Sequence, residues 1–226
     1  MQILNAVRGS RIPPVVALHA NGLTTRPANE MQGTRRFFQQ GDEIFAEGEP
    51  YTAFYKVVSG TVRVGKLLID GRRQIDAFHF PGDVFGLESS DRHRFTSEAV
   101  DDVEVIAYRR STFATIVREN PAFGEQLMSS MVTNLDRAHD HMVLLGRKTA
   151  VERMASFLLD LARRTSRSDR VELSMQRTDI ADYLGLTIET VSRLLTQLAR
   201  DGLIRLTKAG RTIVLADKAG LQTLRS

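Results

Sequence analysis

Between Ile180 and Leu198 the apolar positions form two short stripes separated by a glycine: Ile180, Ala181 and Leu184 before Gly185, then Val191, Leu194, Leu195 and Leu198 after it. Steps of three and four residues put each set on one helical face. Gly185 stands where the first helix needs a left-handed terminal residue, and Thr187 can cap the second with its hydroxyl. The stretch from Gln176 to Ile204 therefore predicts a helix-turn-helix.

Away from this stretch the period changes along the chain. Residues 1 to about 30 show neither period and read as an extension. From Arg35 to about Arg109, short β-rich runs alternate with glycines at Gly41, Gly48, Gly60, Gly71 and Gly82, which predicts a barrel or sandwich. From Ser111 the period is helical: STFATIVREN forms one short helix, and Pro121 opens a long one. Along that long helix Met128, Met131, Leu135, Ala138, Met142 and Leu145 alternate by three and four, the spacing of a coiled-coil seam. Periodicity alone leaves open whether the seam meets a second chain or the protein's own β-rich body. Gly146 suggests a break before another amphipathic helix, with Val151, Met154, Leu158 and Leu161 inward. A basic loop from Arg163 to Arg170 and a strand at Val171 to Leu173 precede the helix-turn-helix. Ile204 to Leu206 and Thr212 to Leu215, joined through Lys208 to Arg211, predict a hairpin wing.

The second helix of the motif leaves one face free. Glu189, Ser192, Arg193 and Thr196 fall there, near the helix N-terminus, where a recognition helix meets base edges. Arg193 can bond bidentately to guanine O6 and N7. Glu189 can accept from cytosine N4 and orient Arg193 one turn on, and Ser192 can add a short contact. An ordinary exposed ion pair between Glu189 and Arg193 would use the same spacing. Arg177, Thr187, Thr190, Thr196, Lys208 and Arg211 lie at helix starts, on the helix face or on the wing, where phosphates would pass.

Charge agrees with this placement. Residues 146 to 226 hold 15 Lys or Arg against 9 Asp or Glu, an excess of +6, whereas residues 1 to 145 carry −2. The basic half is the half with the helix-turn-helix, as phosphate attraction requires. With no cysteine among 226 residues, disulfides, thiolate zinc sites and a cysteine-ligated iron-sulfur cluster are excluded. The histidine spacings argue against a metal site: His139 and His141 lie about 200° apart on a helix, and His79 and His93 lack a partner pattern. No catalytic constellation stands out, so an enzyme is not expected, nor a metal or other cofactor. Val15 to Leu18 is too short for a signal-peptide core and no run approaches membrane-spanning length, so a cytoplasmic location is expected.

The phrase LGLTIETVSRLL, with TDIADY before it, resembles the DNA-binding motif of the CRP/FNR superfamily of bacterial transcription regulators, in wording nearest its FNR and FixK branches. GDEIFAEGEP, AFYKVVSGTVRV and FPGDVFGLE resemble the β-roll of cyclic-nucleotide-binding domains. The resemblance implies an α+β chain: an extension over 1–30, a cyclic-nucleotide-binding-like β-roll (jelly roll) over 31–120, a dimerisation helix over 121–146, and a winged helix-turn-helix over 147–226. It also implies base reading by Glu189, Ser192 and Arg193 and, because Ile188 stands where the cyclic-AMP receptor has arginine, a TTGA…TCAA type of palindrome. The implied partners are double-stranded DNA, a second copy joined along Met128 to Leu145, and RNA polymerase, met through Arg164 to Arg170 and the turn Asp70 to Arg73. Cyclic-nucleotide-binding members place an arginine before a serine or threonine in the β-roll; Thr96 and Ser97 occupy those positions here, and Arg92 and Arg94 stand out of register. A regulator that needs no cyclic nucleotide is therefore expected. A cyclic-nucleotide- or haem-gated regulator of the same superfamily is the alternative.

Overall fold

The computed structural model describes residues 33–165, 169–207 and 211–225. The expected extension over 1–30 and the hairpin turn with Lys208 lie outside them. Eight short strands come first: β1 (Thr34–Phe38), β2 (Glu43–Phe45), β3 (Ala53–Ser59), β4 (Val62–Leu67), β5 (Arg73–His79), β6 (Val84–Phe85), β7 (Thr96–Ala99) and β8 (Val103–Arg109). They pair antiparallel in two sheets, ordered β1-β8-β3-β6 and β2-β7-β4-β5. Alternate residues point inward, so Tyr55, Val57, Val62, Val64, Val103 and Val105 share one core with Ile44, Phe45 and Phe85. The five expected glycine corners all have φ between +82° and +96°. At Gly60 a side chain would also meet the Asp102 carbonyl at 2.4 Å, so only glycine lets the β3–β4 corner close.

A 3-10 turn at Arg110–Thr112 leads into α1 (Phe113–Glu119), and Asn120 then caps α2 (Pro121–Arg147) by accepting from the Phe123 N–H at 3.1 Å. The short helix is thus briefer than STFATIVREN suggested. Gly146 lies inside α2, which runs on to Arg147: an exposed glycine costs a helix only about 1 kcal/mol, too little to break one held by packing. The chain turns at Lys148 and Thr149, both extended, before α3 (Ala150–Arg164).

The long helix uses two faces differently. Leu127, His141 and Leu144 are buried against the body, and on the same side Asn134 donates to the Val84 carbonyl at 2.8 Å while Arg137 pairs with Asp83 at 2.9 Å. The seam residues are elsewhere. Met128, Met131, Leu135 and Met142 are 43–65% exposed, Ala138 is exposed, and Val132 and Val143 widen the apolar strip. Leu145 departs from the others: it is half-buried and packs against the C-terminal core.

The C-terminal body consists of α3, β9 (Arg170–Glu172), α4 (Arg177–Leu184), α5 (Ile188–Arg200), β10 (Ile204–Leu206), β11 (Thr212–Leu215) and α6 (Lys218–Arg225). β9 sits one residue earlier than expected, because its register places Val171 opposite Ile213 in the core. In α3 the inward stripe is Met154, Leu158 and Leu161, with Val151 half-buried. This core does not stop at the β-roll. Ile75, Phe78 and Phe80 from β5 and beyond join it.

Arg153 and Arg164 both brace the join. Arg153 donates to three carbonyls, Lys148 at 2.9 Å, Leu145 at 2.8 Å and Leu184 at 2.9 Å, tying the end of α2 to the end of α4. Cations suit helix C-termini because unpaired carbonyls gather there. Arg164 donates to Asp83 at 2.8 Å and to the Phe78 carbonyl, and stacks over the Phe80 ring at 4.6 Å. The expected basic loop from Arg163 is therefore corrected: Arg163 and Arg164 are the last turn of α3, and Arg164 faces inward because Asp83 and Phe80 there satisfy both its charge and its flat face.

Candidate nucleic-acid interface

α4 begins where Gln176 turns extended and its N–H is accepted by Asp179 at 3.1 Å. It ends at Gly185, φ 61° and ψ 42°, and the Ala181 carbonyl accepts from both Gly185 and Leu186. Thr187 caps α5 by accepting from the Thr190 N–H at 3.2 Å. Val191, Leu194, Leu195 and Leu198 are all buried. That anchors one side of α5 and turns the other outward.

On the outward side Glu189 and Arg193 are exposed and Ser192 is half-buried. The expected pairing of Glu189 with Arg193 gives way to another arrangement. Its own backbone N–H, then the Thr187 hydroxyl, hold the Glu189 carboxylate below its usual range, and Arg193 contributes least. The Arg193 guanidinium instead approaches the Thr190 hydroxyl at 3.5 Å. Near the start of a helix the backbone N–H groups compete well for a carboxylate, which leaves the guanidinium available outward.

The flanking groups are equally specific in place. Arg177 is exposed and reaches from α4 to the Ser192 hydroxyl at 3.1 Å, so the two helices share one polar rim. Thr187 and Thr190 hydroxyls lie 3.1 Å apart. Thr196 is exposed but donates to the Ser192 carbonyl at 2.9 Å, which uses its single O–H within the helix. Arg211 is exposed just before β11, and Lys208 lies outside the described residues.

A cavity of about 590 Å³ separates the β-roll from α2, α3 and α4, lined among others by Phe85, Arg94, Asn134, Arg137, His141 and Tyr183. Arg94 thus faces a cavity although it stands out of register with the phosphate cassette, whereas Arg92 donates to the Gly48 carbonyl at 2.5 Å. Rings form the roll side of this cavity: Phe45 stacks on His93 at 3.8 Å, Tyr55 stacks on Phe85 at 5.3 Å, and Phe45 and Phe85 face the open space. Burial pushes His79 down to about 4, so this ring is neutral. Among the described residues no group of three His, Asp or Glu side chains could hold a metal, and no helix is long and apolar enough to cross a membrane.

Sequence reasoning missed the residues that brace this surface. It gave Arg153 no role and put Arg164 in a loop facing outward, because helical spacing shows which face a residue is on but not which carbonyl or carboxylate the fold brings to it.

Residues 152–224 match the family described as Crp-like helix-turn-helix domain, and residues 35–120 the cyclic nucleotide-binding domain. Over 210 residues the chain is 45% identical to the nitrogen fixation regulation protein FixK of Azorhizobium caulinodans, covering 90% of this chain and 84% of that protein. It is 40% identical over 167 residues to the transcriptional activatory protein AadR of Rhodopseudomonas palustris, 72% of this chain and 70% of that one. The structure of FixK2 from Bradyrhizobium japonicum superposes with a TM-score of 0.80 at 45% identity, covering 86% of this chain and 98% of that chain.

Proposed function

Because the chain belongs to the CRP/FNR family of DNA-binding transcription regulators, we propose that it binds a TTGA…TCAA-type palindrome as a homodimer and activates transcription without a cyclic nucleotide. Its relatives are regulators, not enzymes. The observation that carries the reading is the outward face of α5, where the exposed Arg193 guanidinium meets the Thr190 hydroxyl at no closer than 3.5 Å and Glu189 and Ser192 flank it. A guanidinium so placed can form the bidentate bond to guanine, while Glu189 accepts from cytosine. Arg177, Thr187, Thr190 and Arg211 contact phosphates, joined by Lys208; Thr196 joins them by turning its O–H from the Ser192 carbonyl to a phosphate oxygen. The test is anisotropy of a labelled palindrome and a scrambled duplex over a range of salt, without added ligand. Tight, salt-dependent binding to the palindrome alone is expected, and equal binding to both duplexes overturns the assignment.

One helix-turn-helix covers half a palindrome, and a parallel dimer sets two recognition helices about 34 Å apart. The exposed strip of Met128, Met131, Leu135, Ala138 and Met142 supplies the dimer seam, with Leu145 at its margin. Charging it by Met131→Glu with Leu135→Glu gives monomers in sedimentation; a dimer that persists places the seam elsewhere.

Activation is read from the likeness to the transcriptional activatory protein AadR; RNA polymerase is the partner this reading assigns, and the cytoplasm the place. Asp70 and Arg72 on the β4–β5 turn are exposed and fit a polymerase contact; Arg73 and Arg164 do not, since both are engaged inside the protein. Independence from cyclic nucleotide is supported by Ser97, whose fully buried hydroxyl faces no arginine partner among the described residues. Melting temperatures unchanged by cyclic AMP or cyclic GMP check it; a rise of several degrees overturns it.

A further inference from the structure

The recognition helix is aimed by contacts that it does not make itself. α5 packs chiefly on α3, α4 and β10, while α4 lies against β5 of the roll. On α4 the Asp179 side chain is only 3% exposed, and two arginines of the β4–β5 hairpin reach it, Arg63 at 3.1 Å and Arg73 at 2.5 Å. Arg73 also pairs with Asp182 at 2.8 Å, and Arg63 with Glu98 at 3.0 Å. Beside this cluster the Thr61 hydroxyl donates to Ser174 at 2.9 Å, and Tyr183 of α4 stacks on His141 of α2 at 4.1 Å.

We propose that Arg63 and Arg73 are positioning residues for DNA binding: they grip Asp179 and Asp182 from the β-roll and so hold the helix-turn-helix in the orientation that presents α5. This rests on the DNA-binding reading above and adds to it a part played by the roll. Three observations lead there. A carboxylate as buried as Asp179 needs a charged partner, and beyond the Gln176 N–H of its own helix both cationic partners come from the other domain. The connection between α2 and α3 is made by two extended residues, Lys148 and Thr149, so no continuous helix sets the angle. Both guanidiniums are already committed to carboxylates and are 18% and 27% exposed, so neither is free for phosphate.

The same chemistry explains why such a contact orients more than it stabilises. Desolvating both charges offsets much of their attraction, but removing one side leaves a buried unpaired charge, which the domain relieves by swinging Asp179 into water. The seat of α5 on the dimer would then be lost while each domain stays folded.

The experiment uses the full chain with R63Q/R73Q, R73Q alone and R63K/R73K. Anisotropy on the palindrome and a scrambled duplex is read at several salt concentrations, and hydrogen exchange of the free proteins is followed at β4–β5 and α4. For R63Q/R73Q we expect at least tenfold weaker binding to the palindrome, an unchanged slope of log affinity against log salt, and faster exchange at both elements together. R73Q alone, in which Arg63 still meets Asp179, falls between, and R63K/R73K keeps most of the affinity. Unchanged exchange, unchanged or tighter binding, or a slope reduced by about 0.9 per arginine, as for a lost phosphate contact, overturns the proposal. Wild-type protein that does not prefer the palindrome overturns the DNA-site reading instead, and this inference with it; a wild type that does, beside variants that equal it, sinks the inference alone.

Discussion

α4 and α5 are adjacent helices separated by Gly185 to Thr187, yet the fold uses them in opposite ways. Beyond the exposed Arg177 and Thr178 at its start, α4 is engaged throughout: Ile180, Ala181 and Leu184 in the core, Asp179 and Asp182 on arginines of the roll, Tyr183 against His141. α5 commits only its apolar face and leaves the opposite one to whatever approaches. A surface that must fit a rigid duplex within a fraction of an ångström cannot be supported by its own loose contacts. It is instead carried by a neighbour whose own side chains are mostly committed to other elements.

The largest break in this contrast comes from the buried face of α5. Leu195→Ala removes a side chain that is 1% exposed and should cost about 2–5 kcal/mol, or roughly 5–15 °C in melting temperature. Thr196→Ala, next to it on the outward side, should stay within about 0.5 kcal/mol. Circular dichroism melts compare them, and equal losses would mean that the two faces are not distinct. Next comes Arg153→Met, which leaves three helix-end carbonyls without their donor and should cost about 2–3 kcal/mol. It also loosens the support of α4 without touching α5's outward face.

Arg193→Ala sharpens the contrast from the other side. Its expected loss is about 1–3 kcal/mol of binding with relaxed choice at one base, while the melt stays that of wild type; a gel-shift series with preference intact would remove α5 from its role. Smallest is Arg211→Ala. It should weaken both duplexes alike and reduce the salt slope by about 0.9; a change in site preference would make the wing a reader of bases.

What the sequence determined was local and periodic. The stripe of Val191, Leu194, Leu195 and Leu198, the left-handed Gly185, the Thr187 cap and the strands Ile204–Leu206 and Thr212–Leu215 follow from rules that span a few residues, and the fold keeps each of them. The glycine corners of the roll were legible for the same reason. The tertiary structure alone decided the rest. Gly146 could end a helix by its propensity, but packing carried α2 through it. Glu189 and Arg193 had the spacing of a pair, but Thr187 and the helix N-terminus took the carboxylate. Arg63 and Arg73 lie more than a hundred residues from Asp179, and no period relates them to it. Spacing along a chain fixes which side chains share a face; which charge waits opposite depends on how separate elements pack, because a long, flexible cation settles on whichever acceptor the fold delivers.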